Sequence, residues 1–198
     1  ERKMFEQELE QGNFYLEYSK KIMNVGRELS VSKGNYIGSI PPYGYDKIWV
    51  KEGKDEYPTL VENKEQADVV RMIFDMYVNQ DIRPISICKH LDELHIRPRK
   101  GDYWSPHTIR DLLKNIHYIG KVKWNHTKTQ TIVEDGDVKK IRPKAKAGEY
   151  AIYEGRHSAI VSEDIFNLAQ EKIGKNHRAK STTKVRNPLA GLLYCKCG

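Results

Sequence analysis

Trp104-Ser105-Pro106-His107-Thr108-Ile109-Arg110-Asp111-Leu112-Leu113-Lys114-Asn115-Ile116-His117-Tyr118-Ile119-Gly120 contains a helix with its own start and stop signals. Ser105 is a good N-cap, and Pro106 takes the first helical position, where a fixed φ and a missing N–H are harmless. Ile109, Leu112 and Leu113 have the spacing of an inward face. His107, Thr108, Arg110, Asp111 and Lys114 fall away from it. Trp104 reads as a core plug ahead of the cap, and Lys114-Asn115 ends the helix. Beyond Gly120 the pattern alternates as Lys121-Val122-Lys123-Trp124, so one strand face is basic and the other apolar.

Upstream, a second helix opens near Pro84, with Ile87, Cys88, Leu91 and Leu94 as its apolar side. Cys88 there reads as a buried small hydrophobe. Two helices at 84–95 and 105–115 followed by a basic β segment are the outline of a winged helix-turn-helix. The connection between them is longer than the usual three or four residues. On the second helix, Arg110 has the chemistry for bidentate contact with guanine, while Thr108 and Lys114 suit phosphates. The bland alternative is an ordinary solvated helix face. A further helix precedes the pair: Asn63 caps it, Gln66 completes a capping-box pattern, and Ala67, Val70, Ile73, Phe74 and Tyr77 form its buried side.

The flanks read differently. Residues 1–33 predict one long helix, with Tyr15, Tyr18, Ile22, Val25 and Leu29 on one face and Gly12, Ser19 and Gly26 seven apart. No partner for that stripe follows nearby, which suggests a surface outside this chain or another subunit, with packing on its own domain as the alternative; Gly12-Asn13 is a possible break. Residues 34–46 read as an extended linker outside the core, punctuated by Pro41-Pro42. Lys47–Pro58 predicts a hairpin, Thr129–Arg142 a second one turning at Asp135-Gly136, and Lys144–Gly148 a polar loop. Ser162 caps a last helix bearing Ile165, Phe166, Ala169 and Ile173. The expected fold is α+β and mainly helical. It comprises a connecting helix (1–33), a linker (34–46), a main domain (47–174), a basic linker (175–188) and a truncated cysteine-bearing end (189–198).

The chain has 198 residues and a net charge of +7. Residues 1–96 hold 13 Lys+Arg against 17 Asp+Glu, and residues 97–198 hold 21 against 10. That asymmetry suits a polyanionic partner on one half. No apolar run is long enough for a membrane span. Three cysteines make no disulfide framework and fit a reducing cytoplasm. Cys195-Lys196-Cys197 is half of a possible zinc site, which needs four ligands. A Gly-rich phosphate loop and a His-Glu-x-x-His motif are both absent from the sequence. His157 reads as a hydrogen-bonded histidine closing a loop, with a catalytic role as the alternative.

Several stretches together resemble large serine recombinases. They are Lys33-Gly34 through Gly38 to Pro41-Pro42-Tyr43-Gly44-Tyr45; Glu65-Gln66-Ala67 running to Tyr77; and Trp104-Ser105 to Ile109. Leu113-x-Asn115-x-x-Tyr118-Ile119-Gly120, His157-Ser158-Ala159-Ile160-Val161-Ser162 with Phe166 and Gln170, and Leu189-Ala190-Gly191-Leu192-Leu193 before Cys195 complete the set. The resemblance implies a helix-turn-helix-like recombinase domain and the start of a zinc ribbon, although C-x-C stands where C-x-x-C is usual. It implies a parent that exchanges DNA strands through a phosphoserine intermediate, of bacterial or phage origin, acting with other subunits as a dimer or tetramer and holding structural zinc. Nothing here matches the family's nucleophile domain, so the chain itself is expected to bind rather than cleave. The expected partner is double-stranded DNA, with no membrane. Expected DNA-contacting residues are Lys33, Asn35, Tyr36 and Tyr43 in the linker and His107, Thr108, Arg110 and Lys114 on the helix. Lys121, Lys123, Lys139, Lys140 and Arg142 are expected from the β segment, and Cys195 and Cys197 as metal ligands. A protein-interaction domain with a basic surface and an RNA-binding module are the competing readings.

Overall fold

The computed structural model describes residues 2–125, 127, 129–134, 137–145 and 150–175. The fold is α+β and mainly helical. Helix α1 (Arg2–Ser32) runs unbroken through Gly12-Asn13. Its stripe of Tyr15, Tyr18, Ile22, Val25 and Leu29 is exposed, and Val31 near its end is buried. The helix stops because Gly34 turns left-handed at φ +82°. Gly34 N–H then donates to Val31 O at 2.8 Å and Asn35 N–H to Ser30 O at 3.2 Å, a Schellman closure that satisfies carbonyls at the helix end.

The segment after α1 is extended, but it is not outside the core, which corrects the linker reading. Tyr36 and Tyr45 are buried. Each ring is apolar, and each hydroxyl finds backbone acceptors: Tyr36 OH donates to Ile40 O at 2.5 Å, and Tyr45 OH lies 2.7 Å from Ser158 O and 3.1 Å from His117 O. With its polar end satisfied, burial of an aromatic ring is favourable even in a Pro- and Gly-rich stretch.

Strands β1 (Tyr45–Glu52) and β2 (Asp55–Glu62) form the expected hairpin, with Glu52 opposite Asp55. Helix α2 (Lys64–Val78) follows at once. Asn63 caps it as expected, but the Gln66 carboxamide does not close the box; it accepts from Gly44 N–H and from Arg99. Helices α3 (Pro84–Glu93) and α4 (Pro106–Leu113) pack against each other. Ile87, Cys88 and Leu91 are buried, whereas Leu94 is exposed because α3 has ended at Glu93. A 3-10 turn (Ile116–Ile119) leads through left-handed Gly120 into β3 (Lys121–Trp124).

Strands β4 (Gln130–Glu134) and β5 (Asp137–Ile141) form a separate hairpin; its turn at 135–136 lies outside the described residues. Strand β3 pairs instead with β6 (Ala151–Glu154), which no sequence signal marked, placing Lys121 opposite Glu154 and Trp124 opposite Ala151. Val122 is buried, but Trp124 is only half-buried, since a two-stranded sheet covers it on one side. Helix α5 (Glu163–Lys175) buries Phe166 and Ala169 and packs on α2 and α4. The core thus gathers side chains from α2, α3, α4, α5, Tyr36, Tyr45 and Tyr118. The expected basic linker beyond Lys175 and the cysteine-bearing end lie outside the described residues.

Candidate nucleic-acid interface

Helix α4 presents the most coherent polar face. Its N-cap forms as the sequence implied: Thr108 N–H donates to Ser105 Oγ at 3.1 Å. The Thr108 hydroxyl lies 2.9 Å from the same oxygen, so this side chain serves the cap first. Ile109, Leu112 and Leu113 anchor the opposite side in the core. His107, Arg110, Asp111 and Lys114 follow an i, i+3, i+4, i+7 pattern, and all four are exposed on one face. His107 Nε2 sits 3.3 Å from the Asp111 carboxylate, which leaves Arg110 and Lys114 as the outward cations of the stripe.

The β-segment candidates divide. Lys121 is held by Glu163 at the start of α5. Lys123 is half-buried, with its ammonium 5.8 Å from the Tyr150 ring centre. Burial and the charge of Lys144 both pull its pKa below the usual lysine value. Two cations brought together in this way are relieved by an incoming anion. Lys139, Lys140 and Arg142 are exposed, but β5 belongs to a different sheet from β3. Lys139 and Lys140, being adjacent in a strand, point to opposite faces.

The linker candidates are reduced. Asn35 and Tyr36 are buried, and their side chains bond to Ser30 Oγ and Ile40 O, so neither is presented to a partner; this corrects the expectation. Tyr43 is partly buried, with its ring edge-on to Trp104 at 5.0 Å and its carbonyl accepting from Tyr118 OH. The Lys33 side chain is exposed, while its carbonyl accepts from Arg156 Nε at 3.0 Å. Cys195 and Cys197 lie outside the described residues, and among the described residues no group of three or more His, Cys, Asp or Glu could hold a metal.

Next to β3 lies a histidine pair, His157 buried and His117 partly buried. His157 Nε2 donates to His117 O at 2.8 Å, closing the loop as expected, and the two rings stack at 6.0 Å. Burial and the neighbouring charges of His157 and Lys123 lower the His117 pKa to about 4; burial lowers that of His157.

The α3–α4 connection is more than the long turn that its sequence suggests. It carries Arg97, Arg99 and Lys100, and Trp104 Nε1 donates back to Ile96 O at 3.1 Å to close it. Arg97 stacks over exposed Tyr103 at 4.9 Å and donates to Asp102 O. The only sequence signal for these cations is the run Arg97-Pro98-Arg99-Lys100.

A family model described as Recombinase matches residues 64–176. The chain belongs to the recombinase family. Among solved structures, a large serine recombinase (LSR)–DNA complex shares the fold of this recombinase at 20% identity and a TM-score of 0.51, covering 77% of this chain and 38% of that one. A structure from work on the sequence requirements of the Listeria innocua prophage attP site matches at 21% identity and a TM-score of 0.51, covering 77% of this chain and 51% of that one. The matched part of this recombinase chain therefore spans only about two-fifths to one-half of the length of those chains. Among the described residues no helix is long and apolar enough to cross a membrane.

Proposed function

We propose that this chain binds duplex DNA sequence-specifically at a recombination half-site, as the DNA-binding part of a serine recombinase. Helix α4 enters the major groove with Arg110 and Lys114 outward, and Lys123 of β3, together with Lys144 bridged to Thr127, takes phosphates. The observation that carries the reading is the exposed α4 stripe, capped at Ser105 and seated on the α3 helix within the family-matched segment. Both recombinase structures of shared fold concern DNA: one is a DNA complex, the other addresses an attachment site. Strand cleavage through a phosphoserine belongs, in this reading, to a nucleophile domain elsewhere in the parent, which works with further subunits in the cytoplasm. Cys195 and Cys197 would supply two of four thiolate-type ligands to a structural zinc there.

Competition binding tests it. A duplex enriched from a random pool, an unselected duplex and a structured RNA are compared at one stated salt concentration. The reading expects the enriched duplex to win clearly. Equal affinity for all three favours a merely basic surface, and preference for the RNA favours the RNA-binding alternative.

A further inference from the structure

The α3–α4 connection is too long for a simple helix-turn-helix, and its extra residues reach back to a distant segment. Arg99 Nη2 lies 2.8 Å from Tyr45 O, 2.8 Å from Gln66 Oε1 and 3.2 Å from Asp46 Oδ1, and Nη1 lies 3.4 Å from Pro41 O. The same Gln66 oxygen accepts from Gly44 N–H at 3.2 Å, and Asn63 bonds to the second Asp46 oxygen at 2.8 Å. One guanidinium therefore ties the extended segment 41–46 to the start of α2. Its own backbone is held by the Trp104 and Arg97 bonds that close the connection. Only arginine supplies enough donors in a planar fork to meet four acceptors from two chain segments at once. The Arg99 side chain is 27% exposed, so these bonds are partly shielded from water.

The connection runs directly into the N-cap of α4. Whatever fixes Arg99 therefore also fixes α4 relative to the segment that leads from α1. We infer that Arg99 is a positioning residue that sets the spacing between the DNA contacts of α4 and a contact made by exposed Lys33 at the exit of α1, without touching DNA itself. The inference rests on the duplex-binding reading above. An arginine that added only charge or only stability would change affinity alike for every duplex. One that sets spacing changes which spacing is preferred.

The experiment has two arms, applied to the whole chain and to Arg99→Ala and Arg99→Lys. Without DNA, amide hydrogen exchange is followed at Gly44 and Tyr45. Arg99→Ala is expected to speed it at least about tenfold while core amides of α2 and α3 stay within about twofold. With DNA, the probe is the duplex enriched by the wild-type chain and its derivatives carrying one inserted base pair at each position. The wild type is expected to lose at least about tenfold at the junction between the two contact regions, Arg99→Ala under about threefold, and Arg99→Lys to fall between. Unchanged exchange at Gly44 and Tyr45, or a spacing penalty equal to that of the wild type, overturns this inference alone. A wild-type chain that enriches no duplex overturns the duplex-binding reading and the inference with it. Should Arg99→Ala melt below the assay temperature, Arg99→Lys takes its place in both comparisons, and the same outcomes support or overturn the inference.

Discussion

Replacing Gly34 by alanine should be among the most damaging single-methyl changes in this chain. Gly34 stands at φ +82°, and a Cβ built there would lie 2.7 Å from Glu154 O and 3.1 Å from Arg156 N. Left-handed backbone costs an L-residue about 1–2 kcal/mol. Overpacking adds about 1–3 kcal/mol, and here both obstructing atoms are backbone, so neither can swing aside. The expected loss is about 2–5 kcal/mol, or roughly 4–20 °C in melting temperature for a chain of this size. Two controls isolate the causes. Gly53 has φ +66° and open space around it, so Gly53→Ala should show only the conformational part, about 1–2 kcal/mol. Gly26 lies inside α1 with nothing within 4 Å, so Gly26→Ala should raise stability by up to about 1 kcal/mol. Thermal melts of the three variants rank them. A Gly34→Ala variant that melts no lower than Gly53→Ala refutes the close packing of the α1 exit against β6.

Tyr45→Phe should cost about 1 kcal/mol in urea denaturation, because the Ser158 carbonyl loses its hydroxyl donor while the His117 carbonyl keeps that of His157; an unchanged midpoint would contradict that network. The His117 pKa sits near 4 in the fold against about 6.5 unfolded, so its contribution is complete above pH 6.5 and is lost as pH falls toward 4. About 3 kcal/mol should disappear across that window, and His117→Gln should flatten the dependence. Lys123→Ala should weaken enriched and unselected duplexes alike and reduce the slope of log affinity against log salt by about 1; a loss confined to the enriched duplex would place Lys123 on a base instead.

The helices of the main domain are readable from sequence because their signals are local. Ser105-Pro106, Asn63 and Pro84 mark starts, and apolar periodicity names the buried faces of α2, α3 and α4. The exposed stripe of α1 is readable for the same reason, since no matching apolar partner follows it. Strand β6 is not, because Ala151–Glu154 is four residues long and its pairing with β3 spans a separate hairpin. The burial of Tyr36 and Tyr45 is hidden by their Pro- and Gly-rich surroundings; Tyr45 is a core residue because distant Tyr118 and His157 pack on its ring and the carbonyls of His117 and Ser158 meet its hydroxyl. Arg99 looks like part of a solvated basic run, because its acceptors lie more than thirty residues away in sequence. Of the candidate site, the α4 face is legible from helix spacing. That Asn35 and Tyr36 turn inward and that Glu163 holds Lys121 depends on tertiary packing.

The central claim is that α4 reads bases, and Arg110→Ala tests it most directly. The affinities of the variant and the wild type are measured for the enriched duplex and for an unselected duplex at the same salt concentration. If α4 reads bases, the difference in binding free energy between the two duplexes shrinks by about 1–3 kcal/mol, the worth of one bidentate base contact, while the melting temperature stays unchanged because Arg110 is exposed. An equal loss on both duplexes, or none on either, would contradict it.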